Sequence, residues 1–131
     1  MTDKGRRVLV VEDDTAMAYV IRFTLQKAGL HVEVADCGKS AWSMLKNERF
    51  DLVLTDLLMP GMTGDELCRN MRADPRLAAI PVIILTVKGF ELDRGHYLRD
   101  LCVGAVISKP FSPQELVRIV EQHLAVGAVS P

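Results

Sequence analysis

Asp51-Leu52-Val53-Leu54-Thr55-Asp56-Leu57-Leu58-Met59-Pro60-Gly61 decides how the rest of the chain is read. Leu52, Val53 and Leu54 make a short apolar run of the kind that a strand covered on both faces requires. A carboxylate, Asp56, stands at the carboxyl end of that run. Pro60-Gly61 then forces a turn, because Pro has a fixed φ and no donor while Gly tolerates positive φ. Open α/β sheets place their chemistry beyond the carboxyl ends of their strands. Every other segment can therefore be asked what it brings to Asp56.

On the amino-terminal side, Val8-Leu9-Val10-Val11 is a second buried strand, followed by Glu12-Asp13-Asp14. Met17, Val20, Ile21, Leu25 and Ala28 recur at helical spacing, and Gly29 stops that helix. His31–Asp36 alternates polar and apolar, which predicts a strand with one wet face at a sheet edge. Ser40–Glu48 carries Ala41, Met44 and Leu45 on one helical face, with Trp42 beside it as packing.

Beyond Gly61, Thr63-Gly64-Asp65-Glu66 fits a capping box, and its helix should run to about Ala73. Ile80–Leu85 is a further buried strand, and it ends on Thr86. Residues 89–101 are read as a helix lined by Phe90, Leu98 and Leu101, with Gly95 weakening the pattern. Val103–Ile107 is a fifth, shorter strand, followed by Ser108-Lys109-Pro110. Ser112-Pro113-Gln114-Glu115 is a second capping box, opening a helix that buries Leu116, Ile119, Val120 and Leu124.

Five strands alternating with five helices predict a three-layer, flavodoxin-like (βα)5 α/β fold around a five-stranded parallel sheet. Residues 6–125 are expected to form its single domain, with 1–5 and 126–131 as terminal tails. Of the 131 residues, 49% are apolar and 25% charged, and the net charge is −1, so nothing marks a nucleic-acid or membrane-surface binder. No signal peptide and no run near the ~18 apolar residues of a membrane span is present. Cys37, Cys68 and Cys102 are odd in number and lack a C-x-x-C pair, which fits unpaired thiols in a reducing, cytoplasmic setting. His31, His96 and His123 have no partners at useful spacing and are expected at the surface or boundary.

Four strands thus end in reactive side chains: Glu12 and Asp13, Asp56, Thr86, and Lys109. A parallel sheet puts all carboxyl ends on one edge, so residues 97 positions apart should meet there. Three carboxylates at one rim repel unless one is protonated or a cation holds them. All-oxygen ligation suits Mg²⁺, and the absence of nearby His or Cys argues against zinc. A cation, an ammonium and a hydroxyl around one carboxylate form a cradle for a tetrahedral anion attached to it. Phosphoryl transfer asks the protein mainly for positioning and charge neutralisation. Asp56 would be the nucleophile.

These motifs, in this order, resemble the receiver domain of two-component response regulators over about residues 6–125, in particular the chemotaxis-type single-domain receivers. The resemblance implies Asp13 as a direct Mg²⁺ ligand, Glu12 acting through water, and Asp56 as ligand and phospho-acceptor. It implies the backbone carbonyl of Leu58 as a further ligand, Thr86 as the switch hydroxyl, and Lys109 as the phosphoryl-binding cation. Met59-Pro60-Gly61-Met62-Thr63-Gly64 matches the family's loop after the acceptor, and Lys109-Pro110-Phe111 its lysine motif with a cis Lys–Pro bond. The implied donor is a sensor histidine kinase or a histidine phosphotransfer protein. The implied output is a downstream protein contact on the face of the fourth helix, fifth strand and fifth helix. A phosphorylation-dependent homodimer is left open.

Three departures stand out. The family's aromatic three residues before the lysine is Val106 here, so the usual ring readout is absent or replaced. Val87 follows Thr86 where the family has Ala or Gly, and Leu58 is apolar two positions after the acceptor. Val87 is expected to narrow access to a phosphorylated Asp56 and Leu58 to hinder an attacking water, so both should lengthen the life of an acyl phosphate. A phosphatase of the haloacid dehalogenase type also uses an aspartyl phosphate, but it wants an Asp at the position of Leu58. An unphosphorylated docking module would not need the intact set of site residues. Neither G-x-G-x-x-G nor a P-loop follows the first strand. The expected protein modifies only itself and is no enzyme toward a separate metabolite.

Overall fold

The computed structural model describes residues 5–59, 61–87, 99–100 and 103–129. Its elements are β1 (Arg7–Val11), α1 (Thr15–Lys27), β2 (His31–Ala35), α2 (Gly38–Asn47), β3 (Leu52–Asp56), α3 (Gly64–Ala73), β4 (Val82–Thr86), β5 (Ala105–Ser108) and α4 (Pro113–Val129). The helix expected at 89–101 lies outside the described residues except for 99–100, so the last helix carries the label α4.

All strand pairs are parallel and the order is β2-β1-β3-β4-β5, with the wet β2 and the short β5 at the edges. The order reverses between β1 and β3, and a crevice at such a reversal is where an open sheet has room for a site. Strand side chains alternate faces, so each apolar run feeds two cores. Leu9, Val11, Val53, Val82 and Ile84 pack with α2 and α3 through Ala41, Leu45, Leu67 and Met71. Val8, Val10, Leu52, Leu54, Ile83 and Leu85 pack with α1 and α4 through Ile21, Leu25, Leu116, Val120 and Leu124. The three-layer expectation is met.

Element ends differ from the sequence reading for local reasons. Strand β4 starts at Val82 rather than Ile80, because Pro81 has no N–H to give and Ile80 N–H is spent on Leu77 O at 3.1 Å. Helix α2 starts at Gly38, earlier than expected, with the Cys37 sulfur as N-cap acceptor for Ser40 N–H at 3.4 Å. Strand β5 is displaced toward Ser108. Helix α4 continues to Val129, through residues 126–129 that were expected in a tail. No helix among the described residues is long and apolar enough to cross a membrane.

His123 is also more engaged than expected. Its ring nitrogens face Ile119 O at 2.9 Å and Gly104 O at 3.1 Å, tying α4 to the start of β5. Cys37 is half-buried and Cys68 buried, and neither is in a disulfide among the described residues; Cys102 lies outside them.

Both halves of the first capping box form: Glu66 N–H donates to Thr63 Oγ1 at 3.2 Å and Thr63 N–H to Glu66 Oε1 at 2.9 Å. At Ser112 the hydroxyl oxygen accepts from Glu115 N–H at 3.0 Å. The first box sets Gly64 against the end of β3, where Gly64 N–H donates to Leu57 O at 3.0 Å. A Cβ on Gly64 would lie 2.7 Å from Asp56 O and 3.1 Å from Leu57 Cα, both backbone atoms with no rotamer to yield. Gly64→Ala should therefore cost about 1–3 kcal/mol, the usual range for overpacking. Urea unfolding of the two proteins reads this directly, and an unchanged midpoint would contradict the close approach.

Candidate functional site

The site forms where four chain segments leave the carboxyl edge of the sheet. Strand β1 ends in Val11, and Glu12 N–H extends the ladder by donating to Ala35 O at 3.0 Å. That bond turns the Glu12 side chain inward, where it is 2% exposed. Asp14, the N-cap of α1, accepts from Met17 N–H through its side chain at 3.0 Å. Its own N–H donates to Glu12 Oε2 at 3.2 Å, so starting the helix also orients the buried acid.

Asp56 is the last residue of β3, with a side chain 14% exposed. The Thr55 hydroxyl before it donates to the Asp56 carbonyl at 2.9 Å and is fully buried. Glu12, Asp13 and Asp56 each offer a carboxylate oxygen, all within 4.8 Å of one another. Asp13 is exposed, Asp56 half-buried and Glu12 buried, so the acids step inward from solvent.

Lys109 enters from the exit of β5. Its Nζ donates to Glu12 Oε1 at 2.9 Å, across 97 residues of sequence, and to Asp56 Oδ2 at 3.4 Å. The Lys109–Pro110 peptide bond is cis, in accord with the sequence expectation. Lys109 N–H donates to Thr86 O at 2.8 Å, which pins the exit of β5 to the end of β4. Thr86 is 1% exposed at that strand end, and Asp56 lies opposite Leu85 in the β3–β4 register.

The electrostatics follow from burial. Desolvation pushes the Glu12 carboxyl above its ordinary range, against the opposing hydrogen bonds from Lys109 and Asp14 N–H. Burial alone would pull the Lys109 ammonium down. Its hydrogen bond to Glu12 and the charges of Asp56 and Glu12 outweigh that and hold it above the usual lysine value. Among the described residues, the Lys109 ammonium contacts two of these three carboxylates, so the cluster is net negative when all three are ionised.

An all-oxygen, net-negative donor set suits a hard divalent cation such as Mg²⁺. Glu12, Asp13 and Asp56 are the side chains that would hold it.

The remaining expected residues are placed as follows. Leu58 and Val87 are exposed beside the acid cluster's sheet edge, 53% and 61% respectively. Val106 lies inside β5, opposite Ile84 and half-buried against the α2–α3 core, away from the rim. Sequence reading missed three contributors. Asp14 was legible from its N-cap position, and Thr55 as a lone hydroxyl in a buried strand. The closeness of Gly64 to Asp56 had no sequence signal beyond the capping box.

Mg²⁺ at a hundredfold excess over its Kd should raise unfolding free energy by about 2.7 kcal/mol. Asp13→Asn should lose most of that gain, while its metal-free stability stays level or rises because an exposed like charge is removed. Urea titrations with and without Mg²⁺ decide it.

Comparison with known proteins agrees with this geometry. Residues 8–121 match the family model described as the response regulator receiver domain. The phosphate regulon transcriptional regulatory protein PhoB of Rhizobium meliloti is 36% identical over 120 residues, 90% of this chain and 52% of that protein. The chain spans about half the length of the curated relatives it matches. The chemotaxis response regulator CheY4 of Vibrio cholerae superposes with a TM-score of 0.82 at 28% identity, covering 90% of this chain and 98% of that one. The receiver domain of the sensor histidine kinase PA1611 of Pseudomonas aeruginosa has a TM-score of 0.84 at 29% identity, covering 92% and 98%. In that structure a magnesium ion is coordinated in the active-site cleft.

Proposed function

The chain belongs to the response regulator receiver domain family of two-component signalling, and from that premise we propose that Asp56 is its phospho-acceptor in a Mg²⁺-dependent reaction. The observation that carries this is the Lys109 ammonium bridging Glu12 and Asp56 beside a three-carboxylate cluster. A structural ion pair needs one acid; this lysine faces two, at the mouth of the sheet reversal.

An Asp56 carboxylate oxygen attacks the phosphorus of a phosphohistidine on a sensor kinase or phosphotransfer protein, or of a small phosphodonor. The P–O bond forms as the P–N bond breaks, and the electron pair and a proton end on the departing imidazole. When bound, Mg²⁺ supplies positive charge against the phosphoryl oxygens. Lys109 releases part of its hold on the acids to pair with another of those oxygens. The Thr86 hydroxyl turns toward the new anion.

That rearrangement biases the face built on β5 and α4, and a downstream protein reads it. Such a chain modifies only itself and turns over no separate metabolite. The reading places it in the cytoplasm, where sensor kinases present their phosphohistidines. The haloacid dehalogenase alternative has no acid to use at Leu58.

Incubation with acetyl phosphate and Mg²⁺ should add one phosphoryl group by intact mass. Asp56→Asn, or chelation of the metal, should abolish the addition. Unmodified wild-type protein, or undiminished addition to Asp56→Asn, would overturn the assignment.

A further inference from the structure

Two of the three clustered carboxylates are held by bonds of their own, and one is not. The Glu12 carboxylate is fixed at both oxygens: Lys109 Nζ donates to Oε1 at 2.9 Å and Asp14 N–H to Oε2 at 3.2 Å. Asp56 closes β3 and accepts from Lys109 Nζ at 3.4 Å. Asp13 is exposed, and among the described residues its carboxylate has no hydrogen bond or ion pair. The place of that carboxylate is therefore set by its backbone, through the residues on either side. Glu12 anchors one side by its ladder bond to Ala35 O at 3.0 Å. Asp14 anchors the other. Its Oδ1 accepts from Met17 N–H at 3.0 Å and its carbonyl from Ala18 N–H at 2.9 Å, which closes the first turn of α1.

We propose that Asp14 is a positioning residue for Mg²⁺: by capping α1 it fixes the backbone of Asp13, and so presets the Asp13 carboxylate beside Glu12 and Asp56. This rests on the three acids being a Mg²⁺ site. Asp14 touches no metal in this role and acts through the start of the helix. Metal ligands are ordinarily oriented by hydrogen bonds from an outer shell, and Asp13 has none, so the cap takes that part. Mg²⁺ demands near-ideal octahedral geometry, which makes looseness at one ligand costly in affinity. The coupling is reciprocal: if the cap tightens the metal, the metal steadies the cap by the same factor. The rival reading is electrostatic, with Asp14 adding only a fourth negative charge near the cation. The two readings part at Asn and Ser, which cap a helix about as well as Asp and carry no charge.

The Mg²⁺ Kd of wild type, Asp14→Ala, Asp14→Asn and Asp14→Ser is read from the rise of urea unfolding free energy with Mg²⁺ concentration. Each variant is referred to its own metal-free stability, so the general loss from an uncapped helix drops out. Asp14→Ala should weaken Mg²⁺ binding roughly tenfold, the low end for a lost outer-shell partner. Asp14→Asn and Asp14→Ser should stay within about threefold of wild type, because both keep the cap. In wild type, Mg²⁺ should also slow hydrogen exchange at the Met17 amide. Wild-type affinity in Asp14→Ala, or Asn and Ser variants as weak as Ala, overturns the positioning role while leaving the metal site standing. A Met17 amide that exchanges at one rate with and without Mg²⁺ does the same. Wild-type protein whose stability does not respond to Mg²⁺ overturns the metal site and the positioning role with it.

Discussion

The structure turns on one lysine ammonium held against two carboxylates from different strands. Glu12 and Asp56 are brought together by a parallel sheet whose carboxyl ends share an edge, and with Asp13 they would repel without a cation between them. Lys109 answers part of that repulsion. It does so at the cost of burying charge, and a buried pair of this kind is weak evidence for stability, since well-packed apolar residues serve a fold as well or better. The arrangement makes sense as a site whose charge is left incomplete, ready for a metal and an anion. The apolar strands on either side supply the rigidity that the charged edge lacks.

Much of this was legible in the sequence because burial and chemistry use different residues. Val8–Val11, Leu52–Leu54 and the apolar run ending at Leu85 are solid enough to be central strands, and the reactive residues follow each of them directly. A strand's end and a carboxylate coincide at Asp56, so fold and site were read from one stretch. The capping box at Thr63 and Glu66 was equally plain, being two side chains at fixed offset.

What escaped reading was set by contacts distant in sequence or by single backbone donors. Pro81 moves the start of β4 because a missing N–H matters more than the apolarity of Ile80. The His123 ring finds Gly104 O because α4 packs beside the start of β5, a distance of 19 residues that spacing rules do not reach. Gly64 is favoured without a side chain because a Cβ there would come within 2.7 Å of Asp56 O, and nothing local announces that. Strand order also follows from none of the patterns individually. The wet β2 and short β5 hinted at edges, but the reversal between β1 and β3 is a property of the whole sheet.

Val106 poses the remaining question of how a change at the rim would reach β5 without an aromatic ring to swing. The backbone already supplies a path. Lys109 N–H is bonded to Thr86 O at 2.8 Å, and the register continues inward through Leu85–Ile107 and Ile84–Val106. Under the proposed reading, Thr86 and Lys109 are the two residues drawn toward the phosphoryl group, and they are joined to each other before it arrives. Val106 is half-buried against the α2–α3 core, and its β-branched side chain has few χ1 rotamers to exchange. A short edge strand held at its exit by that bond can shift as a unit relative to α4. Under the same reading, a movement of Thr86 and Lys109 would reach β5 through this backbone bond and register rather than through a ring.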